Sequence, residues 1–439
     1  MEINVLDYGA KGDGVNIDTA AIQTAIDDCS RLGGGRVLIP GGHTFLTGSL
    51  ILRSNIEFHI EMGAELIAVK DIEKYSYFKD LHNLNTDMKV PSYVNCDYEG
   101  KPKQYFIYAK DASNVAITGF GKIDASEEIF YGDLSEEFID GSYYPRIPVL
   151  YLENVKQLTI KDITISRSAF WTVHMIGCRD VLIDGIRIYN NMKLANCDGI
   201  DPDHCKDVRI NNCYIECADD CIVFKNTAAY REYGACENIS VTNCTLKSSS
   251  AAFKFGTESC GEFRNFTISN CNVKGIRGIS MQLRDDGKIS NVLFSNINIE
   301  TEREYYVFWG EAEPIAITAI DRNETTHAGQ ISNIKFDNIN CNSENGILIY
   351  GNDDEDNIRD ITFRNINLNI VKKTDYPKKN FDLRPSKYAD FIETDSHTVY
   401  ERNSKGIIFD NLKIDISDEM KVYVKGADTE NVRFVNYND

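Results

Sequence analysis

Short apolar stretches separated by polar corner residues recur along the middle of the chain. The module reads LTIKDITI at 158–165, VLIDGIRI at 181–188, VRINNCYI at 208–215, ISVTNCTL at 239–246 and FTISNCNV at 266–273. It continues as VLFSNINI, IKFDNINC, ITFRNINL and IIFDNLKI. Alternating apolar positions on both sides of a polar residue indicate two short β-strands bent around a corner.

The modules follow one another at nearly regular intervals. Steps of 23, 27, 31, 27 and 26 residues separate the corner residues Asp162, Gly185, Asn212, Asn243, Asn270 and Asn296. Such a period indicates a solenoid, in which neighbouring turns bury strand faces that one turn cannot bury alone. The leucine spacing of leucine-rich repeats is absent, as are helix-period segments between the modules. The sequence therefore predicts an all-β, single-domain right-handed parallel β-helix over residues 1–439.

The ends of such a stack expose unpaired backbone and need a cover. Residues 19–32 predict a capping helix, with Asp18 as its N-cap. The apolar side chains at helical spacing are Ala21, Ile22, Ala25, Ile26 and Cys29. Three insertions interrupt the repeat, near 71–107, 125–147 and 372–404, and either binding loops or solvated insertions fit that pattern.

Charge and composition restrict the partners. The net charge is −20 and no basic stripe offsets it, so a nucleic-acid backbone or an anionic membrane is an unfavourable partner. No run of about 18 apolar residues is present to cross a membrane. The first residues lack the basic and apolar regions of a signal peptide, which predicts a cytoplasmic protein, although a secreted protein after leader removal has the same appearance. The oligomeric state stays open.

Thirteen cysteines lie mostly inside strand-like stretches. They favour buried free thiols over disulfides, and they lack the CxxC spacing of metal sites. The sequence predicts no metal and no required cofactor.

Acidic residues concentrate at the same corner of two consecutive turns, in NCDGIDPD at 196–203 and ADDC at 218–221. Asp198 and Asp219 are 21 residues apart, close to one turn, so we expect their side chains side by side, with Asp220 next to them. Repulsion between clustered carboxylates raises at least one pKa, as a general acid near neutral pH requires. A lone aspartate in a turn is an ordinary structural residue, but this cluster indicates catalysis.

In combination, several motifs resemble the polygalacturonase family, glycoside hydrolase family 28. They are DYGAKGDG at the start, SAFWTVHMIGC at 168–178, Asn196-Cys197-Asp198, Asp219-Asp220, FGTES, and WGEAEPIAIT at 309–318. The resemblance implies a parallel β-helix that hydrolyses glycosides with inversion. It also implies that Asp219 protonates the leaving oxygen while Asp198 and Asp220 position and deprotonate the attacking water. Inversion requires carboxylates roughly 6.5–9.5 Å apart.

The chain departs from the family pattern at three places. Cys197 stands in the middle of the family's Asn-Thr-Asp motif. Ala251 stands where the histidine of Gly-His-Gly is expected. Ser280-Met281-Gln282 aligns with Arg-Ile-Lys, the motif that binds the substrate carboxylate. Both cationic motifs are therefore missing from their expected positions.

Nearby charged residues are candidate replacements: Lys225, Lys254, Glu258 and Arg284. An arginine can bind a sugar carboxylate in a bidentate manner, which suits Arg284 to the vacant role. Lys225 and Lys254 lie at alternating strand positions, which predicts that they face the same groove. An exposed or ion-paired surface cation is the alternative for Lys225, Lys254 and Arg284.

Aromatic and polar residues near the acidic corner complete the set. His174, close to Phe170 and Trp171, is a candidate for binding a sugar hydroxyl or a buried core histidine. Trp309 is a candidate for stacking on a sugar ring or a core residue. The predicted substrate-binding residues are Asn196, His174, Lys225, Lys254, Glu258, Arg284 and Trp309.

The leading hypothesis is an inverting glycosidase acting on α-linked, galacturonic-acid-containing pectic oligosaccharides. The insertions favour exo action by closing one end of a cleft. Three alternatives stay open. The first is hydrolysis of another α-linked glycan, such as rhamnogalacturonan or one of neutral sugars. The second is a β-helix lyase or epimerase, in which the aspartates could bind Ca²⁺. The third is a non-catalytic carbohydrate-binding scaffold.

Overall fold

The computed structural model describes residues 1–76, 104–136, 138–141, 146–304, 308–353, 356–387, 391–392, 397–416, 424–425 and 432–435. The chain forms two compact units, Met1–Ala218 and Asp219–Asp439. Parallel strands dominate both units, and both have the right-handed parallel β-helix fold that the repeats predict. That the whole chain is one domain stays a prediction.

In the first unit, two rows of parallel strands follow the repeat. The row that contains the corners comprises Glu2–Asn4, Asp13–Ile17, Gly35–Ile39, Thr44–Thr47, Ile56–Ile60, Glu65–Ala68, Ser113–Thr118, Lys122–Asp124, Lys156–Lys161, Thr164–Ser166, Arg179–Asp184, Arg187–Tyr189, Lys206–Asn211 and Tyr214–Cys217. The second row comprises Leu50–Ile51, Ile107–Lys110, Leu150–Glu153, Val173–Ile176 and Ile200–Asp203.

The second unit has the same two rows, with longer strands at the corners. The corner row comprises Cys236–Thr242, Thr245–Ser248, Glu262–Gly275, Lys288–Thr301, Gln330–Ser343, Ile358–Ile370, Ser404–Ile416 and Val432–Val435. The other row, here named the site sheet, comprises Ile222–Asn226, Ala251–Ser259, Arg277–Leu283, Ile315–Ala319, Ile347–Gly351, Val399–Arg402 and Val424–Lys425.

The corner residues adopt the left-handed conformation that the pattern requires. All six residues used to align the repeats have φ between 55° and 68°. Asparagines there form ladders: Asn296 donates to Asn270 at 3.2 Å, and Asn338 donates to Asn296 at 2.7 Å. At Gly185 a Cβ atom would lie 2.7 Å from the carboxylate of Asp162, which explains the glycine in this turn. The corner prediction is confirmed.

The core of each turn is apolar and stacks in register. In the second unit, Phe294, Phe336, Phe363 and Phe409 stack with ring centroids 4.8–5.0 Å apart. The twelve cysteines among the described residues are free, and eleven of them are buried. The prediction of buried free thiols is therefore confirmed for the described part of the chain.

An α-helix, Thr19–Arg31, lies where the capping helix was expected and buries Ile22, Ala25, Ile26 and Cys29. Asp18 occupies the N-cap position but makes no side-chain cap hydrogen bond. Its carboxylate instead accepts the N–H groups of Lys11 and Gly12 at 2.6 and 3.0 Å. The predicted side-chain cap is therefore wrong, because both carboxylate oxygens accept N–H groups of the preceding loop instead.

Single-turn 3₁₀ helices and hairpins occupy the described parts of the insertions. Among the described residues, Ile72–Lys74 and Glu127–Phe130 are 3₁₀ helices in the insertions, and Val5–Tyr8 and Ala228–Tyr233 are 3₁₀ helices elsewhere. Antiparallel pairs join Tyr131–Leu134 to Ile139–Gly141, and Phe381–Asp382 to Phe391–Ile392. Residues 77–103, most of the first predicted insertion, lie outside the described residues. Within the described part, no helix is long and apolar enough to cross a membrane.

Candidate active site

Asp220 is buried just before the first strand of the site sheet, with 2% of its surface exposed. One carboxylate oxygen accepts the hydroxyl of Ser250 at 3.0 Å and the backbone N–H of Ala251 at 3.1 Å. The other oxygen lies 2.7 Å from the ammonium of Lys254. Three donors, one of them charged, stabilise the ionised carboxylate.

Asp219 precedes Asp220 in the chain and is half-buried. Its backbone carbonyl accepts the hydroxyl of Ser248 at 2.6 Å. In the first unit, Asp198 is 2% exposed, and its backbone carbonyl accepts the N–H and the hydroxyl of Thr172 at 2.9 and 2.6 Å. The backbone on which each aspartate sits is thus fixed. The side-by-side arrangement of Asp198 and Asp219 stays a prediction.

Lys254 lies between Asp220 and Trp309. Its ammonium is 5.3 Å from the centroid of the Trp309 ring, a cation–π distance. The lysine side chain is only 5% exposed, whereas Trp309 is partly exposed. The Lys254 ammonium therefore contacts protein groups inside the site rather than solvent. Sugar stacking by Trp309 stays a prediction for the part of the indole that is exposed.

Lys225 and Glu258 form a second buried ion pair, with Nζ and Oε2 3.0 Å apart. Burial raises the pKa of Glu258, but the charges of Lys225, Arg322 and Arg284 outweigh it and lower that pKa to about 2. Glu258 is therefore a carboxylate at any pH near neutrality. The two lysines predicted to share a groove lie on neighbouring strands of the site sheet and belong to different ion pairs.

Arg284 and Arg322 both bind Thr257, near the end of the strand Ala251–Ser259. Arg284 donates to the Thr257 hydroxyl at 2.7 Å. Arg322 binds both oxygens of Asp285 at 2.8 Å and donates to the Thr257 carbonyl at 2.9 Å. Burial raises the pKa of Asp285, yet hydrogen bonding to Arg322 more than compensates and lowers it.

These residues form what we name the cation cluster: Lys225, Arg284 and Arg322 with the carboxylates Glu258 and Asp285. Three cations and two carboxylates thus meet at this end of the site sheet. The alternative of exposed surface cations is wrong for Lys225, Lys254 and Arg284, because each is about 4% exposed. Arg322 and Asp285 were not predicted, since neither lies within a repeat module.

Asn196 is half-buried and bound by a buried arginine. The guanidinium of Arg146, which has no exposed surface, donates to the Asn196 amide oxygen at 2.6 Å and to the Ala195 carbonyl at 2.6 Å. It also lies 5.4 Å from the centroid of the Phe170 ring. Substrate contact by Asn196 stays a prediction.

His174 has no exposed surface. Its Nε2 lies 3.3 Å from a carboxylate oxygen of Asp203, and Trp171 and Tyr151 pack against its ring at 4.8 and 5.3 Å. Direct contact with a sugar hydroxyl is wrong as a prediction in this structure. The other expectation, a buried and paired histidine, is confirmed.

The third insertion lies against the site sheet. Gln282, at one position of the missing Arg-Ile-Lys motif, donates to the Arg384 carbonyl at 3.0 Å. The Arg384 guanidinium pairs with Asp382 at 2.9 Å and stacks over Phe391. Phe381 and Leu383 pack with a hydrophobic group on the site sheet: Ala316, Ile320, Leu348 and Tyr350. Phe381 and Leu383 of this insertion are therefore packed on the site sheet, whereas residues 375–377 are exposed.

Comparison with known proteins agrees with this arrangement. Residues 72–386, more than half of the chain, match the model of glycosyl hydrolases family 28. The chain belongs to this family. Residues 2–59 match a second model, described as rhamnogalacturonase A/epimerase, pectate lyase-like. Family membership indicates a glycosidase.

Two curated relatives of this family 28 member illustrate the likeness. A probable polygalacturonase of Vitis vinifera is 27% identical over 323 residues, which are 70% of this chain and 62% of that protein. An exo-poly-alpha-D-galacturonosidase of Dickeya chrysanthemi is 24% identical over 253 residues, which are 51% of this chain and 41% of that protein. The matched regions thus span less than two thirds of either relative.

Solved structures show the same fold. A family 28 exopolygalacturonase of Yersinia enterocolitica aligns with a TM-score of 0.72 at 17% identity, over 99% of this chain and 78% of that one. A hyperthermoactive exopolygalacturonase of Thermotoga maritima aligns with a TM-score of 0.60 at 22% identity, over 100% of this chain and 92% of that one.

Proposed function

We propose that this family 28 member is an inverting hydrolase of α-linked, galacturonic-acid-containing pectic oligosaccharides. The observation that supports it best is the environment of Asp220, whose carboxyl group is held by Ser250, Ala251 and Lys254, next in the chain to the half-buried Asp219. Inverting hydrolysis uses a pair of carboxyl groups, one as general acid and one as general base.

In the proposed reaction, Asp219 donates its proton to the glycosidic oxygen as the bond to the anomeric carbon breaks. Water attacks that carbon from the opposite face, and Asp220 accepts the water proton together with Asp198. Asp198 enters this set through the 21-residue spacing that places it one turn before Asp219. The products are two sugars, one with an inverted anomeric centre.

The cation cluster supports an anionic substrate. It gathers three cations, Lys225, Arg284 and Arg322, beside the site sheet of a chain whose net charge is −20. Guanidinium groups bind carboxylates such as that of galacturonate. Arg322, with 13% of its side chain exposed, is the cation of the cluster with most surface for such contact.

The packed third insertion supports exo action. Phe381 and Leu383 cover the site sheet at Leu348 and Tyr350, beyond the strands that contain Lys254 and Arg284. A chain of sugars that meets such a cover can place only one end in the site.

The test uses oligogalacturonides of defined length with the wild-type protein, D219N and D360N. Asp360 is an exposed residue at φ 57°, a conformation that asparagine tolerates, so D360N is a matched control. We expect the wild type and D360N to release monomers with inverted anomeric configuration by NMR, and D219N to lose about 100-fold or more in rate. Release of medium-length products at early times would contradict exo action.

A lyase or epimerase is the second candidate, favoured by the match of residues 2–59 to the rhamnogalacturonase A/epimerase, pectate lyase-like model. Eliminative cleavage yields an unsaturated sugar that absorbs in the ultraviolet, and a Ca²⁺-dependent reaction stops with a chelator. Ultraviolet-absorbing products that disappear with a chelator would replace the hydrolase proposal. Unchanged activity of D219N on every glycan tested would favour a binding scaffold.

A further inference from the structure

The segment Ser248–Lys254 stands where the family pattern leads us to expect a histidine, and it contacts Asp220 through three groups. Ser250 offers its hydroxyl, Ala251 its backbone N–H and Lys254 its ammonium. The residue that replaces the histidine thus contributes only backbone, and the charge comes from a position three residues later.

Lys254 is placed to contact Asp220 rather than a substrate. Its Nζ is 2.7 Å from Asp220, and the side chains of the two residues are 5% and 3% exposed. The face of Trp309 covers the ammonium at 5.3 Å. A lysine enclosed in this way has little surface for contact with a sugar carboxylate. The cation cluster, at the end of the same strand, contains three other cations.

We propose that Lys254 is a positioning residue that holds the Asp220 carboxyl group in the orientation in which it accepts the proton of the attacking water, in a site without the family's histidine. This inference rests on the proposed function. It differs from the substrate-binding role that the sequence suggests for Lys254.

The physical reason is the cost of a buried charge. Without the ammonium, Asp220 would keep two neutral donors on one oxygen, and its other oxygen would lose its partner in a buried position. The carboxyl group could then rotate away from the orientation that accepts a proton from water. Among the described groups in contact with the Asp220 carboxylate in this unit, Lys254 is the charged one, and Asp219 is its chain neighbour.

The kinetic test compares K254M and K254R with the wild type, and with K225M as the matched control. Lys225 is also a buried lysine in an ion pair, on the neighbouring strand. We expect K254M to lower kcat by about 100-fold with KM near the wild-type value. K254R should restore part of kcat, because its guanidinium can still donate to Asp220. K225M should change KM more than kcat.

An increase of KM with unchanged kcat in K254M would overturn the proposal, because it would assign the lysine to substrate binding. So would equal kcat losses in K254M and K254R, because a retained cation would then restore nothing.

A second measurement separates this inference from the proposed function. The unfolding free energies of wild type, K254M, D220N and K254M/D220N form a double-mutant cycle that needs no substrate. We expect K254M to be strongly destabilised and the added D220N to restore much of the loss, since it removes the uncompensated charge. Additive effects would contradict the pairing even if hydrolysis is confirmed. Strong coupling in a protein that cleaves no galacturonide would support the Lys254–Asp220 pairing and contradict the proposed hydrolase function. If K254M fails to fold, recovery of folding in the double variant gives the same answer.

Discussion

The guanidinium of Arg146 binds the amide oxygen of Asn196 at 2.6 Å, two residues before Asp198. It also binds the Ala195 carbonyl, so a fully buried arginine from the second insertion fixes the segment that leads to a proposed catalytic aspartate. Two hydrogen bonds from one planar group define both the position and the direction of this segment.

Replacing Arg146 with lysine should therefore lower both stability and activity. An ammonium cannot reproduce the two-point contact, and we expect a loss of roughly 2–3 kcal/mol in unfolding free energy with a fall in kcat. Denaturant unfolding and kinetics on the same preparation measure both. R209Q is the control, because Arg209 is 53% exposed in a surface ion pair, and a change of under about 0.5 kcal/mol is expected there. Wild-type kcat in R146K would refute the positioning role.

Glu258 should contribute stability that disappears in acid. Its pKa is lowered in the folded protein to about 2 from an ordinary value of 4.5, so the contribution is complete above pH 4.5 and is lost as pH falls toward 2. The difference corresponds to on the order of 3 kcal/mol at neutral pH. E258Q should flatten the acid branch of the stability curve.

The exposed Glu262 supplies the comparison for this measurement. Its side chain is 49% exposed and belongs to a surface ion pair with Arg264. E262Q should leave the acid branch unchanged. An acid branch of E258Q that still follows the wild type would show that the Lys225 pair does not couple to folding.

Phe381 should hold the third insertion against the site sheet. It has no exposed surface and packs with Ala316, Ile320 and Leu348. F381A should cost about 3–5 kcal/mol of local stability. If the insertion also closes the substrate path, the variant should release longer oligogalacturonides besides monomers. K372A, at a position 60% exposed in the same insertion, should keep the wild-type product pattern. If F381A releases only monomers, exo action does not depend on the packing of Phe381 against the site sheet.

The sequence predicts the repeat and several site residues because both follow from periodicity. Polar corners such as Asn270 must adopt positive φ in every turn, so their spacing reports the solenoid directly. Lys225 and Lys254 lie at outward positions of neighbouring strands, so counting along the repeat brought them to one face. Lys225 of the cation cluster and Lys254 beside Asp220 follow from that count, whereas Arg322 and Asp285 of the cluster do not.

The residues that the sequence analysis missed come from outside the periodic strands. Arg146 belongs to an insertion, and Arg322 follows a strand of the site sheet, where no pattern predicts the direction of a side chain. His174 and Asn196 lie in recognised motifs, yet burial and a hydrogen bond to Arg146 decide their contacts. Such contacts depend on how insertions fold back, which the local sequence does not encode in a readable pattern.

Glu311 should behave in the opposite sense to Glu258. It is 5% exposed, and its carboxylate accepts the N–H of Lys379 in the third insertion at 3.0 Å. Burial, with repulsion from Glu313 and Asp382, raises its pKa to about 7. A carboxyl group whose folded pKa exceeds the unfolded value of 4.5 favours the folded state most below pH 4.5, and this advantage is lost as pH rises through 7.

E311Q should therefore remove a stability loss that the wild type shows between pH 4.5 and 7, and it should be the more stable protein at pH 8. An amide keeps an oxygen for the Lys379 N–H and adds no charge next to Glu313. Thermal unfolding across this pH range measures the difference, and E324Q, at an exposed position, is the control. Parallel curves for E311Q and the wild type would mean that Glu311 titrates alike in both states, and the third insertion would then lack a pH-dependent attachment at this point.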